Sequence, residues 1–132
     1  STGGSDRWDT VVWLDHREAN IFFFDRDHAQ ELKLAASNPV DQMHKHAGTR
    51  EGRRIEMDVA LMNDIVRALE PAAEWLITGP GSAKDELAKH VARHHHVLAS
   101  RIVGVESADH PTDGQILALA RKFFRAADRM QP

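Results

Sequence analysis

Two short apolar runs near the start of the sequence constrain its fold more than any other feature. They are TVVWLD at 10–15 and NIFFFD at 20–25, and both are rich in β-branched and aromatic residues. The polar stretch at 16–19 lies between them, and this pattern is typical of a β-hairpin. Because the runs are apolar at almost every position, both strands must be covered on two faces. We therefore expect them inside a sheet rather than at its edge.

The rest of the chain predicts three more strands and three helices. Leu32 and Leu34 alternate with Glu31 and Lys33, which indicates a half-exposed third strand near the edge of the sheet. Short apolar strands are predicted at 74–79 and 101–107. Helices are predicted at 55–69, 82–95 and 112–129. The first helix is expected to bury the residues that recur at helical spacing, Ile55, Val59, Met62, Val66 and Leu69.

The order of these elements predicts an α/β fold. Three antiparallel strands come first, and the order is β-β-β-α-β-α-β-α. Parallel crossover connections in one sheet are right-handed, so the helices must cover both faces. We expect a ribonuclease H-like mixed five-stranded sheet with strand order 3-2-1-4-5.

Composition sets wider limits on the chain. Its length of 132 residues predicts a single domain at 9–132, with a flexible N-terminal lead-in at 1–8. The sequence contains no cysteine, which excludes disulfides and cysteine zinc sites and fits a cytoplasmic protein. No apolar run approaches the ~20 residues that span a bilayer, so we expect no membrane partner. A net charge of -3 does not favour nucleic-acid binding by the chain as a whole, but it allows a local basic patch.

The turn Gly79-Pro80-Gly81 leads from the fourth strand to the second helix. Ser82 and Asp85 have the spacing of a capping box at the start of that helix. The free N–H groups at a helix start attract anions, so an anion site is predicted at Gly81, Ser82, Ala83 and Lys84. The stretch has neither the Walker A nor the G-x-G-x-x-G spacing of nucleotide-binding loops. Thr112 and Gln115 form a second capping-box pattern at the last helix.

Three carboxylates raise the alternative of a metal-dependent nuclease or phosphoesterase. Two-metal phosphodiester cleavage needs about four carboxylates that converge on two ions. Asp15 ends the first strand, Glu56 or Asp58 opens the first helix, and Asp113 lies in the first turn of the last helix. However, the fourth strand ends in Thr78-Gly79 and supplies no carboxylate. Each of the three also has a structural interpretation, as a turn residue or as a favourable charge at a helix start.

The nine histidines include one pair with metal-ligand spacing. His90 and His94 are four residues apart, so a helix places them on adjacent turns of one face. His94 also shares the stripe of Leu87 and Val91, which favours a partly buried or helix-end histidine. No third and fourth ligand is visible at standard spacing, and we expect no cofactor.

The connection at 36–54 lacks periodicity and is rich in basic residues. Connections of this length are uncommon in compact domains and are usually functional or disordered. Basic side chains contact RNA phosphates in many proteins, although a solvated loop is the simpler interpretation of this connection. The candidate RNA-binding residues are His44, Lys45, His46, Arg50, Arg53 and Arg54.

Two stretches and the order of elements resemble a known family. They are WLITGPGSAKDELAKH at 75–90 and VVWLDHREANIFFF at 11–24. They are similar to the middle domain of archaeal and eukaryotic class I peptide-chain release factors and of Pelota. The opening hairpin looks especially like that of small bacterial single-domain relatives, often described as translational machinery or host-attachment proteins. The similarity to the family extends over nearly the whole chain from about Asp9.

The resemblance implies a translational context but not peptide release. Release factors carry Gly-Gly-Gln between the third strand and the first helix, where the glutamine positions water at the peptidyl-tRNA ester. The corresponding connection here contains Gln42, Gly48 and Gly52 but no Gly-Gly-Gln. We therefore expect a non-catalytic module that binds the ribosome or tRNA through its basic loop. The alternatives are the nuclease and a protein-interaction domain, for example a homo-oligomer formed through the exposed third strand.

Overall fold

The computed structural model describes residues 8–36 and 57–129, which form a sheet covered by helices on both faces. The strands are β1 (Asp9–Leu14), β2 (Glu18–Phe24), β3 (Ala29–Ala35), β4 (Glu74–Gly79) and β5 (Ile102–Ser107). The helices are α1 (Val59–Leu69), α2 (Ala83–His94) and α3 (Asp113–Arg129). A 3-10 helix at His96–Arg101, which the sequence pattern does not predict, connects α2 to β5.

The strand order is β3-β2-β1-β4-β5, which confirms the predicted topology. β1 pairs antiparallel with β2 and parallel with β4, so that Val12 lies between Ile21 and Ile77. β4 pairs parallel with β5, and β2 pairs antiparallel with β3. The carboxyl ends of β1, β4 and β5 therefore lie at the same side of the sheet, which we call the carboxyl edge.

Two hydrophobic cores lie on opposite faces of the sheet. On one face, Val12 and Ile77 pack with the buried sides of α1 and α2. On the other face, Val11 and Leu76 pack with the buried side of α3. Because successive side chains of a strand point to opposite faces, the apolar runs of β1 and β4 supply both cores at once. The expectation that β1 is buried on two faces is therefore confirmed.

β3 and β5 form the two edges of the sheet. The predicted edge position of β3 is confirmed, but the strand is more exposed than the predicted half-exposed pattern: Leu32 is 39% exposed, and only Leu34 is half-buried. The reason is that β3 has a neighbouring strand on one side only, and few apolar side chains cover it.

The predicted buried stripe of the first helix is wrong at Val59. This residue is the first of α1 and is 57% exposed, whereas Leu61 and Ile65 are buried. The helix begins after Asp58, whose Oδ1 accepts a hydrogen bond from the Ala60 amide at 2.8 Å. That start turns the first residue of α1 away from the sheet. Ile55 lies outside the described residues.

One of the two predicted capping boxes is wrong. Ser82 precedes α2, but its hydroxyl makes no capping hydrogen bond and instead lies 3.0 Å from Glu86 Oε2. At α3 the prediction is confirmed. Thr112 Oγ1 accepts from the Gln115 amide at 3.1 Å, and Gln115 Oε1 accepts from the Thr112 amide at 2.9 Å.

The predicted lead-in falls outside the described residues except for Trp8, whose carbonyl accepts a hydrogen bond from the Ala73 amide. In the part of the chain that the structure describes, no helix has the length and apolar character needed to cross a membrane.

Candidate functional site at the carboxyl edge

A carboxylate joins three separate segments at the carboxyl edge. Glu86, in the first part of α2, accepts a hydrogen bond from the Met57 amide at 3.1 Å through Oε1. Its Oε2 lies 3.1 Å from His16 Nε2 and 3.0 Å from the Ser82 hydroxyl. An ionised carboxylate only accepts hydrogen bonds, so the imidazole and the hydroxyl are both donors. We call His16, Met57, Ser82 and Glu86 the carboxyl-edge cluster.

The surroundings of Glu86 favour its charged form. Partial burial by itself would raise the pKa of Glu86, because it removes water from the carboxylate. The hydrogen bonds from Met57, His16 and Ser82 outweigh burial and lower the pKa of Glu86 below its ordinary value of 4.5. Glu86 therefore holds a fixed negative charge at neutral pH, at the positive end of the α2 dipole.

The order of hydrogen bonds in this cluster does not activate a nucleophile. A catalytic serine needs an imidazole that accepts its proton and an acid behind the imidazole. Here Glu86 lies between Ser82 and His16 and accepts from both. The Ser82 hydroxyl thus donates to a carboxylate rather than to His16, and the cluster is arranged to hold segments together.

Both flanks of the basic connection are held at the carboxyl edge. On one side, the Ala36 amide donates to the Arg17 carbonyl at 2.8 Å, beside the β1–β2 turn. On the other side, the Met57 amide donates to Glu86, which also binds His16 in the same turn. The chain therefore leaves and re-enters the described fold at one place. The predicted RNA-binding residues, His44, Lys45, His46, Arg50, Arg53 and Arg54, lie outside the described residues.

The predicted anion-binding residues meet at the start of α2, where two of their polar groups already have partners. Gly81 has a φ of 60°, a left-handed conformation that suits glycine. The Lys84 ammonium folds back onto the Gly81 carbonyl and lies 3.9 Å from Asp85 Oδ2. Ser82 donates to Glu86, and Ala83 is buried. Anion binding here stays a prediction.

The predicted nuclease carboxylates have different surroundings. Asp15 Oδ1 accepts from the amides of Arg17 and Glu18 at 2.8 and 3.0 Å, which stabilises the β1–β2 turn. Asp113 is the exposed first residue of α3. Glu56 lies outside the described residues. Within 8–36 and 57–129, no group of three or more histidine, aspartate or glutamate side chains is arranged to hold a metal ion.

The histidine pair lies at the end of α2, where it contacts α1. The rings of His90 and His94 are 4.9 Å apart between centroids, and His95 is 5.2 Å from His90. Asn63 Oδ1 lies 2.8 Å from His90 Nε2 and 3.4 Å from His95 Nε2. His94 is the exposed last residue of the helix. Metal binding by His90 and His94 stays a prediction.

Sequence reasoning missed three members of the carboxyl-edge cluster. His16 falls in an ordinary polar turn, Met57 contributes only its backbone amide, and Glu86 is one of several charged residues on its helix. One signal was available: Glu86 follows Ser82 by four residues, which places the two on one face of a helix. Nothing in the sequence shows that residues 16 and 86 meet.

Comparisons with known proteins identify the fold but no family. The sequence matches no protein-family model and no curated protein at a significant level. Several solved structures share the architecture. The structure of Archaeoglobus fulgidus Pelota matches with a TM-score of 0.61 and 12% identity, over 92% of this chain and 33% of that one.

Two further solved structures have the same arrangement. The archaeal translation termination factor aRF1 matches with a TM-score of 0.56 and 13% identity, over 86% of this chain and 33% of that one. Dom34 of S. cerevisiae, a translation termination-like factor involved in RNA quality control, matches with a TM-score of 0.54 and 12% identity. That match covers 90% of this chain and 33% of Dom34. The chain thus spans about a third of the length of these proteins.

Proposed function

We propose that this domain is a non-catalytic, translation-associated module that binds the ribosome or tRNA through its basic loop at 42–54. The observation that carries the proposal is the fold that the domain shares with Pelota, aRF1 and Dom34. Of these, aRF1 is a translation termination factor and Dom34 is a termination-like factor. The proposed function implies a cytoplasmic protein, because its target is the translation machinery.

The described flanks support the loop as the contact element. Ala36 and Met57 are both held at the carboxyl edge, where open α/β sheets commonly bind their ligands. The sequence between them contains Lys45, Arg50, Arg53 and Arg54 against few acids. Contacts of such side chains with phosphates release counterions, so binding weakens as salt rises.

Peptide release is not part of the proposal. The resemblance places the release factors' glutamine in this same connection, and the sequence there lacks Gly-Gly-Gln. We therefore expect the purified chain to leave peptidyl-tRNA intact when it is added to stalled ribosomes. Hydrolysis above the background rate would contradict the non-catalytic part of the proposal.

Co-sedimentation with purified ribosomes at two salt concentrations is the direct test. For four phosphate contacts, the single-strand slope of about −0.7 per contact in log affinity against log salt predicts roughly 50-fold weaker binding at about 200 mM than at about 50 mM salt. Replacing Arg50, Arg53 and Arg54 by glutamate should abolish the pelleted fraction at low salt. Absence of binding by the unmodified chain at low salt would overturn the proposal.

A matched control separates the effect of this loop on ribosome binding from the effect of net charge. Arg26, Lys89 and Arg93 are exposed basic residues elsewhere on the described surface. Replacing these three by glutamate changes the net charge by the same amount as the loop variant. The control variant should keep most of its ribosome binding. Equal loss in both variants would show that binding depends on net charge and not on the loop.

A further inference from the structure

One face of the sheet is only partly covered. Five strands about 4.8 Å apart form a sheet roughly 24 Å wide, and a helix with its side chains is about 10 Å across, so each face needs two helices. α1 and α2 cover one face. The other face has α3 alone, and its buried side packs on β1, β2 and β4. In the described part of the chain, β5 is therefore covered on this face by the Phe123 side chain over Gly104 and has no second helix above it.

The flank of α3 that faces β2 is held in place by Arg121. The Arg121 guanidinium donates to the carbonyl oxygens of Asp25 and His28 at 3.2 and 3.4 Å. It also lies 5.6 Å from the centre of the Phe24 ring. These contacts hold α3 toward the β2–β3 side of the sheet.

A groove of about 540 Å³ lies between α3 and β5 as a result. It is lined by Glu106, Ala118, Leu119, Lys122, Phe123 and Ala126. Leu119 is 37% exposed, which is high for a leucine beside a sheet. Phe123 also lies over Gly104 of β5, since a Cβ at Gly104 would lie 2.8 Å from the Phe123 ring. The groove is thus mainly apolar, with one acid and one base in its lining.

We propose that a second copy of this chain fills the groove with its own α3. The two helices would lie antiparallel about a two-fold axis, and each would cover the β5 of the other copy. Such an interface is self-complementary, as two-fold interfaces must be. The small side chains of Ala118 and Ala126 permit close approach of the helices, and Leu119 of each copy becomes buried. The proposal is independent of the proposed ribosome binding, because it uses the opposite face from α1 and α2.

Charge complementarity favours a second copy as the occupant. Gly104 lies against Phe123, and α3 follows β5 after a short connection, so we take the helix to return across the sheet in the opposite direction. Two residues of strand rise about 6.6 Å, which corresponds to about four residues of helix, so Glu106 is level with Leu119. In the proposed dimer the two-fold axis lies midway between Leu119 and Lys122, and this placement brings Lys122 of the second copy level with Glu106. Opposite charges meet twice, once in each half of the interface.

Sedimentation equilibrium of the 132-residue chain tests the proposal with a matched pair of variants. Leu119 and Leu32 are the same residue type with 37% and 39% exposure, on the groove and on the β3 edge respectively. Leu119→Lys should raise the dimer dissociation constant at least about tenfold, which is about 1.4 kcal/mol. Leu32→Lys should leave it unchanged. Dissociation by Leu32→Lys but not by Leu119→Lys would overturn the proposal in favour of the β3 edge.

A charge exchange tests the predicted contact and remains informative if Leu119→Lys fails to fold. Glu106→Lys and Lys122→Glu should each weaken the dimer, and the double variant should restore it. Circular dichroism and urea denaturation confirm that each variant is folded. An unmodified chain that stays monomeric at about 100 µM would overturn the proposal, since that leaves less than about 5 kcal/mol for association. In that case a helix of another protein or chain segment would be the occupant.

Discussion

At the scale of single residues, Gly79 shows why the corner after β4 needs glycine. Its φ is 152°, and a Cβ at this position would lie 2.1 Å from the Leu14 carbonyl oxygen. The backbones of β1 and β4 therefore approach too closely for any side chain. Gly81 has a φ of 60°, but a Cβ there would meet no atom within 4 Å. The two glycines of one turn thus serve different physical needs.

Substitution by alanine should separate these two needs. Gly81→Ala should lower the free energy of unfolding by about 1–2 kcal/mol, the cost of a left-handed conformation for an ordinary residue. Gly79→Ala should cost about 3 kcal/mol or more, because backbone atoms must also move apart. Urea denaturation measures both changes. Equal effects of the two substitutions would contradict this account.

His90 connects α2 to α1 through its hydrogen bond with Asn63. Burial, and then the charges that His95 and His94 would carry, lower the pKa of His90 below its ordinary value of 6.5. The neutral ring donates to Asn63 Oδ1 through Nε2. The folded state therefore favours neutral His90.

The resulting pH dependence has a definite sign. Because the pKa of His90 is lower in the folded chain, the unfolded chain binds more protons near pH 6.5, and stability falls as the pH falls through that region. His90→Gln should reduce this fall, while His96→Gln, at an exposed position in the 3-10 helix, should not. Urea denaturation at a series of pH values measures the slope. A steeper slope in His90→Gln would contradict the assignment.

At the scale of elements, Glu86 links three pieces of structure that lie far apart in the sequence. Its carboxylate binds the β1–β2 turn through His16, the segment before α1 through Met57, and the start of α2 through Ser82. At 24% exposure the side chain is sheltered enough for these bonds to stabilise the fold. The link depends on the carboxylate charge, because all three partners donate.

Removing this link should destabilise the protein measurably. Glu86→Ala leaves the Met57 amide and the His16 ring without their acceptor and should cost about 2–3 kcal/mol of unfolding free energy. Asp85→Asn is the control, because Asp85 is 59% exposed and adjacent in sequence. It should change stability by less than about 0.5 kcal/mol. Similar losses in both variants would show that the effect comes from the helix dipole alone.

At the scale of the whole molecule, one sheet joins the two cores. Trp75 belongs to the core beneath α1 and α2, and Trp13 belongs to the core beneath α3. Both strands contribute alternate side chains to both faces, so the two cores share the same strands. Trp13 also ties the β5–α3 connection to the sheet, since its Nε1 donates to Asp109 O at 3.1 Å.

The two cores should therefore unfold in a single transition. Variants that retain only Trp13 or only Trp75, with phenylalanine at the other tryptophan positions, report separately on each core by fluorescence. In each variant, the urea midpoint measured by fluorescence should coincide with the midpoint measured by circular dichroism. Two transitions separated along the urea axis would show that the cores are independent.

The sequence by itself determined the elements, their order and the central place of β1 in the sheet. This was possible because strands and helices depend on periodicities within a few residues, and an apolar run such as 10–15 must be covered on both faces. It also located the cap formed by Thr112 and Gln115. It was wrong at Val59, which is the exposed first residue of α1. It was also wrong at the Ser82 cap, because the Ser82 hydroxyl binds Glu86 instead.

Only the tertiary structure decided which polar groups meet. His16 and Glu86 are 70 residues apart, and Met57 is 29 residues from Glu86. Such contacts follow no local period, because they depend on how parallel strands bring distant turns to one edge of the sheet. The groove beside β5, which no helix within residues 8–36 and 57–129 covers, has the same origin. It results from where α3 packs, and a helix's apolar stripe defines which side is buried but not which strands it covers.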